Sequence, residues 1–476
     1  MVLNSFWYFV FLFAVFLVVH VARDGSRPYL LLAASFAFYA SFGSPLVLTV
    51  LSLVTAVSYA TGLLLRATGE DERPGALWIG VLANVGILVA FRYLAACGSA
   101  LGWFGGSDCA TEGVVVTVGV SYFVLQAISY VVDVHLKVIE PERHLGHFIL
   151  YLAFFPKLLQ GPIERANDLL PQLKRVEPFD YVRARNGLRL FLFGLFQKVV
   201  LADRLALYVN PVYNDVHSYT GLVFVAATYL YALQIYFDFS GYTDMARGSA
   251  LLLGISLSPN FNSPYLATSI PDFWRRWHMS FSRWLLDYLF KPLQIALRDS
   301  GRLGTSVAFL VTFLLSGLWH GAAWGFVVWG MLHGVYLVAS FLYRPFQKRL
   351  VRQLSTATRR VLDVLSVVLT FNLVSFAWIF FRANSIQDAG YIVTNLLSGV
   401  NGLGSYLLVD GKVRLILLAS TLLAYLLVAS LSRRPAWVSR FDAAPRWARW
   451  VGYCLLVYSV VFLWPAKSDG FIYLHF

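Results

Sequence analysis

Apolar runs of about 20 residues follow one another along the chain, separated by short polar segments. Such a run is long enough to cross the hydrocarbon core of a bilayer as one α-helix. The pattern predicts an all-α polytopic membrane protein with about eleven or twelve transmembrane helices. The predicted spans are about 4–21, 28–43, 45–65, 76–95, 114–134, 188–208, 221–239, one on each side of His320, two after residue 360, and 450–466.

One apolar segment, about 147–160, is too short to cross a bilayer and is broken by Pro156, Gly161 and Pro162. Basic residues lie both before and after it, which puts its two ends on the same side of the membrane. We expect this segment to be re-entrant or to lie in the membrane interface. Its irregular backbone must then be buried in protein or line a cavity.

Basic residues concentrate in short loops, above all 344–360 and 433–449, whereas the loops 96–113 and 209–220 contain no Lys or Arg. Because cytoplasmic loops carry the excess of Lys and Arg, this distribution predicts that both chain ends lie outside. The chain is 58% hydrophobic and 13% charged. Soluble domains carry about 25% charged residues, so a soluble protein is excluded. The net charge of +13 therefore indicates contact with lipid headgroups rather than with nucleic acid.

The sequence shows no internal repeat and no separable soluble part, so residues 1–476 are predicted to form one membrane-embedded domain. Three cysteines are too few for a thiolate metal cluster or a disulfide framework. Cys97 and Cys109 bracket one loop. They either pair in an oxidising compartment or stay two separate thiols.

An ionisable side chain stands between two membrane-length apolar runs, in the sequence Trp319-His320-Gly321. Burying an imidazole in such a place is costly, which makes His320 a candidate functional residue. Small residues around it leave room for a ligand or for close approach of another backbone. They are Gly317, Gly321, Ala322, Ala323 and Gly325. The alternative is a helix-end histidine satisfied by a neighbouring group.

A second histidine, His278, follows a capping box with Ser269 at the N-cap and Asp272 at N3. The helix predicted from there repeats apolar residues at helical spacing, which puts His278 on an aromatic face. That face consists of Trp274, Trp277, His278, Phe281 and Leu285. Arg275 and Arg276 point away from it and are suited to phosphates, although such pairs usually meet lipid headgroups.

Each of these residues also has a structural interpretation. His278 is equally well explained as a buried histidine bonded to a carbonyl, and His333 as an imidazole held inside a well-packed helix by a side-chain or carbonyl bond. Three histidines allow a metal site in principle. No Asp or Glu stands at ligand spacing beside them, so no metal is predicted. Asp238, at the end of an apolar span, is more typical of a partner for an Arg or Tyr than of a catalytic acid.

At these residues the chain resembles the membrane-bound O-acyltransferase family, specifically its bacterial alginate O-acetylase branch. The resemblance extends over essentially the whole chain and rests on the combination of its motifs. It departs at Leu286, where the family usually has Arg, and at 292–297, where the family has a different turn. The matching stretches are 154–165, 197–204, 234–245, 260–265, 273–280 with Trp284, Asp287 and Tyr288, 318–322, and 471–473.

The resemblance implies that His320 is the catalytic residue and His278 the second active-site residue, in a catalytic segment of about 261–343. Both would face a central tunnel lined by transmembrane, re-entrant and interfacial helices. The implied donor substrate is cytoplasmic acetyl-CoA, with no bound cofactor. The implied acceptor is a cell-envelope polysaccharide such as alginate, reached through a periplasmic acetyltransferase partner at the bacterial inner membrane.

A thioester is already activated, so catalysis mainly requires deprotonation of a hydroxyl and stabilisation of an oxyanion. We expect His320 to be the general base, while His278 and the Trp277 N–H position the donor or bond the developing negative charge. A covalent acyl-imidazole on His320 stays an open alternative. The expected substrate-binding residues are Trp274, Arg275, Arg276, Trp277, Trp319 and Asp238.

Two other functions stay open at the level of the sequence. A D-alanyl transferase of the teichoic-acid type shares the histidine pattern, but its donor is a carrier protein. A proton-coupled transporter or flippase would use intramembrane His, Asp and Arg residues as a path. The lack of repeated halves in the chain argues against the transporter.

Overall fold

A computed structural model describes residues 1–43, 45–69, 71–91, 119–352, 354–400, 402–408, 411–432, 440–464 and 470–472. Over these ranges the regular secondary structure is helical throughout, which confirms the predicted all-α fold. The loop 96–113, with Cys97 and Cys109, lies outside the described residues. The same holds for 433–439, part of the second basic loop.

The helices are numbered here in the order in which they occur along the chain. In the part of the chain that the structure describes, the α-helices are α1 (Phe6–Val21), α2 (Arg27–Ala40), α3 (Pro45–Ala67), α4 (Arg73–Val89), α5 (Val120–His135), α6 (Leu145–Ala153), α7 (Ala166–Lys174), α8 (Tyr181–Phe196), α9 (Asp203–Asn214), α10 (Leu222–Leu252), α11 (Ile270–Trp274), α12 (Met279–Leu285), α13 (Lys291–Ala296), α14 (Gly301–His320), α15 (Trp324–Arg352), α16 (Thr356–Arg382), α17 (Ile386–Asn395), α18 (Leu403–Leu407), α19 (Lys412–Ser432) and α20 (Arg446–Leu463).

Five helical stretches in the described ranges are long and apolar enough to cross a membrane: Pro45–Ala67, Leu222–Leu252, Arg298–His320, Trp324–Gln347 and Thr356–Arg382. Shorter apolar helices accompany them at Phe6–Val21, Arg73–Val89, Val120–His135 and Leu145–Lys157. These helices make the chain a multi-pass membrane protein. The larger number of crossings expected from the sequence, and the orientation, stay predictions.

The long helix α10 packs closely against α8 through two pairs of glycines. A Cβ on Gly194 would lie 2.5 Å from the carbonyl oxygen of Gly241, and one on Gly248 would lie 2.6 Å from that of Gly187. Small residues permit such backbone contact between membrane helices. The span predicted at 221–239 was too short, because α10 continues to Leu252. Asp238 is therefore in the interior of a helix rather than at its end.

The segment around His278 differs from the single helix that the sequence predicted. The predicted cap is confirmed, since the backbone N–H of Asp272 donates to Ser269 Oγ at 3.3 Å. The helix that starts there, however, ends at Trp274, and α12 begins anew at Met279. The predicted aromatic residues are all buried nevertheless. They reach the core from two short helices joined at His278, and not from one continuous face.

The segment predicted at 147–160 is a short helix followed by irregular backbone. Helix α6 ends at Ala153, and a single 3₁₀ turn follows over Phe155–Lys157. The side chains from Leu150 to Ile163 are buried, so this irregular backbone is enclosed by protein, as the sequence required. The turn holds Lys157, whose Nζ donates to Gln126 Oε1 at 2.5 Å.

Candidate active site

His320 is the last residue of α14, and its imidazole is buried among aromatic rings at the turn into α15. The ring centroid of Trp329, on α15, lies 5.0 Å away, and that of Phe381, on α16, lies 5.1 Å away. The adjacent Trp319 contributes a third ring at 4.7 Å. Three helices thus enclose the imidazole and fix where it lies.

His278 connects α11 to α12 in an unusual backbone conformation, with a φ of +41°. Residues other than glycine rarely adopt this left-handed region. Asn260 holds the turn, because its backbone oxygen accepts from Met279 N at 2.9 Å and its Oδ1 accepts from Ser280 N at 3.1 Å. The imidazole is 1% exposed and lies 4.7 Å from the ring of Phe239. Its Nε2 has no hydrogen-bond partner among the described residues. Backbone strain and an unsatisfied buried nitrogen are both features of functional sites.

Phe281 and Trp319 join the two histidines into one site. Their rings stack with centroids 4.5 Å apart. Phe281 lies 5.1 Å from the His278 ring and 6.0 Å from the His320 ring. Trp319, predicted to bind substrate, lies 6.5 Å from His278 and 4.7 Å from His320. The structure therefore brings together the two histidines that the sequence singled out.

The small residues near His320 serve close backbone approach, the second of their two predicted uses. A Cβ on Gly317 would lie 2.3 Å from the carbonyl oxygen of Phe326, and one on Gly325 would lie 2.4 Å from that of Phe380. Helices α14, α15 and α16 can meet tightly only because these positions lack side chains. A cavity of about 280 Å³ borders the same turn, lined in part by Phe381 and the polar Asn384.

Trp274 belongs to a neighbouring cluster around His333. Its indole Nε1–H donates to His333 Nδ1 at 3.3 Å, and both side chains are buried. His333 was predicted to be held inside a packed helix by either a side-chain or a carbonyl bond, and the structure shows the side-chain bond. Trp274 also lines an apolar groove of about 370 Å³ between α11, α12, α14 and α15. Its predicted contact with substrate would have to be made from this groove.

Trp277 is packed into the protein beside His278, with 1% of its surface exposed. Its ring lies 5.1 Å from Phe261 and 5.2 Å from Trp378. Its backbone N–H donates to the carbonyl oxygen of Phe273 at 2.8 Å. This backbone group is therefore engaged within the protein, and a contact between a Trp277 N–H and developing negative charge stays a prediction.

Arg275 and Arg276 both pair with Asp272, at 3.3 Å and 2.9 Å. Partial burial raises the pKa of Asp272, but the hydrogen bond and charge of Arg276 outweigh it and hold that pKa below its ordinary value. The Arg275 side chain is 72% exposed and borders the apolar groove together with Arg283. Both predicted arginines point away from the buried aromatic residues, as expected.

Asp238 lies in a buried ionic cluster on the α8–α10 side of the protein. Lys198 Nζ is 2.7 Å from Asp238 Oδ1 and 2.7 Å from Asp203 Oδ1. The other oxygen of Asp238 accepts from the backbone N–H of Ile472 at 2.8 Å. The predicted partner of Asp238, an Arg or Tyr, is thus a lysine. One carboxylate oxygen is paired with Lys198 and the other holds the C-terminal segment, so these contacts do not support its predicted role in substrate binding.

Two residues near the histidines were not singled out by their own pattern. The Tyr122 ring lies 6.2 Å from His278 and 5.6 Å from Trp319. Gln160 belongs to a buried loop that touches the His278 turn where Ile163 N donates to Ser280 Oγ at 3.0 Å. Only the family resemblance at 154–165 could have indicated Gln160. Tyr122 lies inside an apolar run and gave no signal.

Among the described residues, no group of three or more His, Cys, Asp or Glu side chains is placed to hold a metal ion. What the site offers is two buried imidazoles, one with an open nitrogen, between an apolar groove and a second cavity. Such a site can move a proton and donate a hydrogen bond in an environment that excludes water.

Comparison with known proteins gives a consistent result. Residues 74–382 match the model of the membrane-bound O-acyltransferase family. A probable alginate O-acetylase AlgI of Azotobacter vinelandii is 33% identical, over 92% of this chain and 86% of the relative. A peptidoglycan O-acetyltransferase of Helicobacter pylori is 32% identical, over 81% and 77%. A teichoic acid D-alanyltransferase of Streptococcus thermophilus is 27% identical, over 57% and 69%.

The family model covers well over half of the chain and contains both histidines, and the first of these relatives matches almost end to end. The fold is the helical membrane fold that the sequence predicted. This chain is an O-acyltransferase and belongs to the membrane-bound O-acyltransferase family.

Proposed function

We propose that this enzyme takes acetyl groups from cytoplasmic acetyl-CoA and passes them across the bacterial inner membrane for O-acetylation of a cell-envelope polysaccharide such as alginate. The observation that carries the proposal is the pair of buried histidines sharing Phe281 and Trp319. The two relatives that match the larger share of the chain are named for O-acetyl transfer. For this reason an acetyl group is proposed as the acyl group that this chain transfers.

His320 acts as the general base in the proposed reaction. It removes the proton of the acceptor hydroxyl, whose oxygen attacks the carbonyl carbon of the acetyl thioester. The tetrahedral oxyanion collapses, the carbon–sulfur bond breaks, and the CoA thiolate leaves and takes up a proton. A general base of this kind contributes about 10²–10⁴-fold in rate.

His278 has the complementary role of a neutral hydrogen-bonding group. Burial lowers the pKa of His278 to about 3, so the ring is uncharged at neutral pH. A neutral imidazole still offers one N–H, which can meet the developing negative charge or the donor carbonyl. The open Nε2 is the group available for this contact.

The two cavities suit the two substrates. The groove lined by Trp274, Arg275 and Met279 lies on the His278 side and combines apolar walls with positive charge. That combination fits a thioester arm with phosphates at one end. The cavity lined by Phe381 and Asn384 lies on the His320 side and fits the acceptor hydroxyl. In this proposal a periplasmic acetyltransferase partner delivers the acetyl group to the polysaccharide.

The proposal is tested by incubating the purified protein, in lipid, with acetyl-CoA labelled in the acetyl group and measuring free CoA. We expect release that depends on an acceptor hydroxyl. If acetyl-CoA yields no free CoA and the protein instead transfers D-alanine from a D-alanyl carrier protein, it is a transferase of the teichoic-acid type. Vesicle uptake of a solute without any thioester cleavage would identify a transporter.

A further inference from the structure

A buried loop at residues 158–163 lies against the site on two sides. At one end, a Cβ on Gly119 would lie 2.9 Å from the carbonyl oxygen of Leu158. Gly119 begins the helix that carries Tyr122, the neighbour of His278. At the other end, Ile163 N–H donates to Ser280 Oγ at 3.0 Å, two residues after His278. The loop therefore lies between two elements that contact His278, and Gln160 is at its middle.

Gln160 is fully buried, and its carboxamide has no partner among the residues that the structure describes. The residue is 0% exposed. Neither its nitrogen nor its oxygen makes a hydrogen bond within the described ranges. Leaving both atoms of a buried amide unsatisfied is costly, so native proteins rarely do it without a reason. By contrast, the equally buried Gln126 uses its oxygen to accept from Lys157 Nζ.

Helix α10 contacts both the His278 ring and the loop that contains Gln160. Phe239 on this helix lies 4.7 Å from the His278 ring, and Tyr242 is one turn further along. The peptide groups of Leu159 and Gln160 lie beside the Tyr242 hydroxyl. Among the described residues, His278 Nε2 and the Gln160 carboxamide are therefore two open polar groups whose neighbours lie one turn apart on helix α10.

The chemistry of a carboxamide restricts the kind of ligand. It offers two N–H donors and one acceptor oxygen, so its complement carries both a donor and an acceptor. The amide groups of a pantetheine thioester arm provide this pair. The loop closes the segment 147–160, which basic residues flank on both sides, and this predicts the cytoplasmic side, where the proposed donor enters.

We propose that Gln160 is a donor-binding residue, whose carboxamide hydrogen bonds to the amide groups of the acyl donor's thioester arm. This inference rests on the proposed function, since it takes acetyl-CoA as the donor. It adds a specificity element outside the two histidines. Thioesters that lack an amide would lose this contact.

The test uses Gln160→Met, which keeps the length of the side chain and removes its polar atoms. On a His320→Ala background, which prevents turnover, we expect labelled acetyl-CoA to bind about tenfold more weakly or worse, from the loss of neutral hydrogen bonds. With His320 intact, KM for acetyl-CoA should rise by the same factor while kcat changes little.

Thermal unfolding in detergent separates binding from structure. Because Gln160 has no partner in the described part of the chain, Gln160→Met should leave Tm unchanged or raise it. The matched control Gln126→Met removes a hydrogen-bonded amide and leaves Lys157 Nζ without that acceptor, so it should lower Tm.

The outcomes are distinct. A lowered Tm for Gln160→Met, or failure to fold, would show a structural role and overturn the proposal. So would donor binding within twofold of the parent, or a fall in kcat with KM unchanged. If the His320→Ala protein itself binds no acetyl-CoA, the proposed function fails, whatever Gln160 does.

Discussion

Two buried polar regions of this protein differ in how their groups are satisfied. In the ionic cluster, Lys198 lies 2.7 Å from both Asp203 and Asp238, and the second oxygen of Asp238 holds a backbone N–H. Around the histidines, His278 Nε2 and the Gln160 carboxamide have no partner in the described structure. The ionic cluster satisfies its charges within the protein and so fastens helices and the C-terminal segment together. The histidine region leaves neutral polar groups open, which costs stability and is suited to a ligand.

The largest expected effect is on activity, at His320. His320→Ala should lower acetyl transfer by about 10²–10⁴-fold, the contribution of a general base, with little change in unfolding. CoA release and thermal unfolding, measured on the same preparation, check this. Turnover above about a tenth of the parent's would contradict the assignment, because a loss of less than about tenfold is smaller than the smallest loss expected when a general base is removed.

The ionic cluster should show the opposite behaviour. Lys198→Met leaves two buried carboxylates without their cation, which should cost about 3–5 kcal/mol of stability. The matched control is Lys291→Met, which breaks a half-exposed pair with Asp287 and should cost at most about 1 kcal/mol. Chemical denaturation of both variants decides the matter. Equal losses would mean that burial does not distinguish the two pairs.

His333 sharpens the comparison, since its Nδ1 accepts from a side chain while its Nε2, like that of His278, has no partner among the described residues. His333→Ala leaves the Trp274 N–H without its acceptor, so we expect a loss of about 1–3 kcal/mol. Activity per folded molecule should largely remain. Turnover normalised to the folded fraction is the measurement. A loss as deep as that of His320→Ala would place His333 in the chemistry.

The smallest expected effect concerns the surface arginines. Replacing Arg275 and Arg276 by Gln should raise KM for acetyl-CoA about tenfold, if one of them bonds a phosphate, and change kcat little. Arg298→Gln is the control, since Arg298 is also an exposed arginine. An unchanged KM in the double variant would assign these arginines to lipid headgroups or to holding Asp272.

Local signals in the sequence were sufficient for much of the fold. Apolar runs predicted a helical membrane protein, and Ser269 was correctly identified as a cap, because capping depends on residues three positions apart. His320 was identified by its place between two apolar runs, and it does end a helix. The resemblance of the chain's motifs also pointed to the membrane-bound O-acyltransferase family, which the comparisons confirmed.

Other features depended on contacts between distant segments. The helix break at His278 was missed because helical periodicity continues through it, while the turn is held by Asn260 from outside the helix. The partners of Asp238 lie in the turn between α8 and α9 and in the C-terminal segment.

By itself, the sequence determined which residues are apolar, where helices are capped and which histidines lie within membrane-length runs, since these depend on near neighbours. Only the tertiary structure decided that His278 and His320 share Phe281 and Trp319, and that Gln160 is buried without a partner among the described residues. The physical reason is that hydrogen bonding and burial belong to the packed whole, in which each group is satisfied by residues far away along the chain.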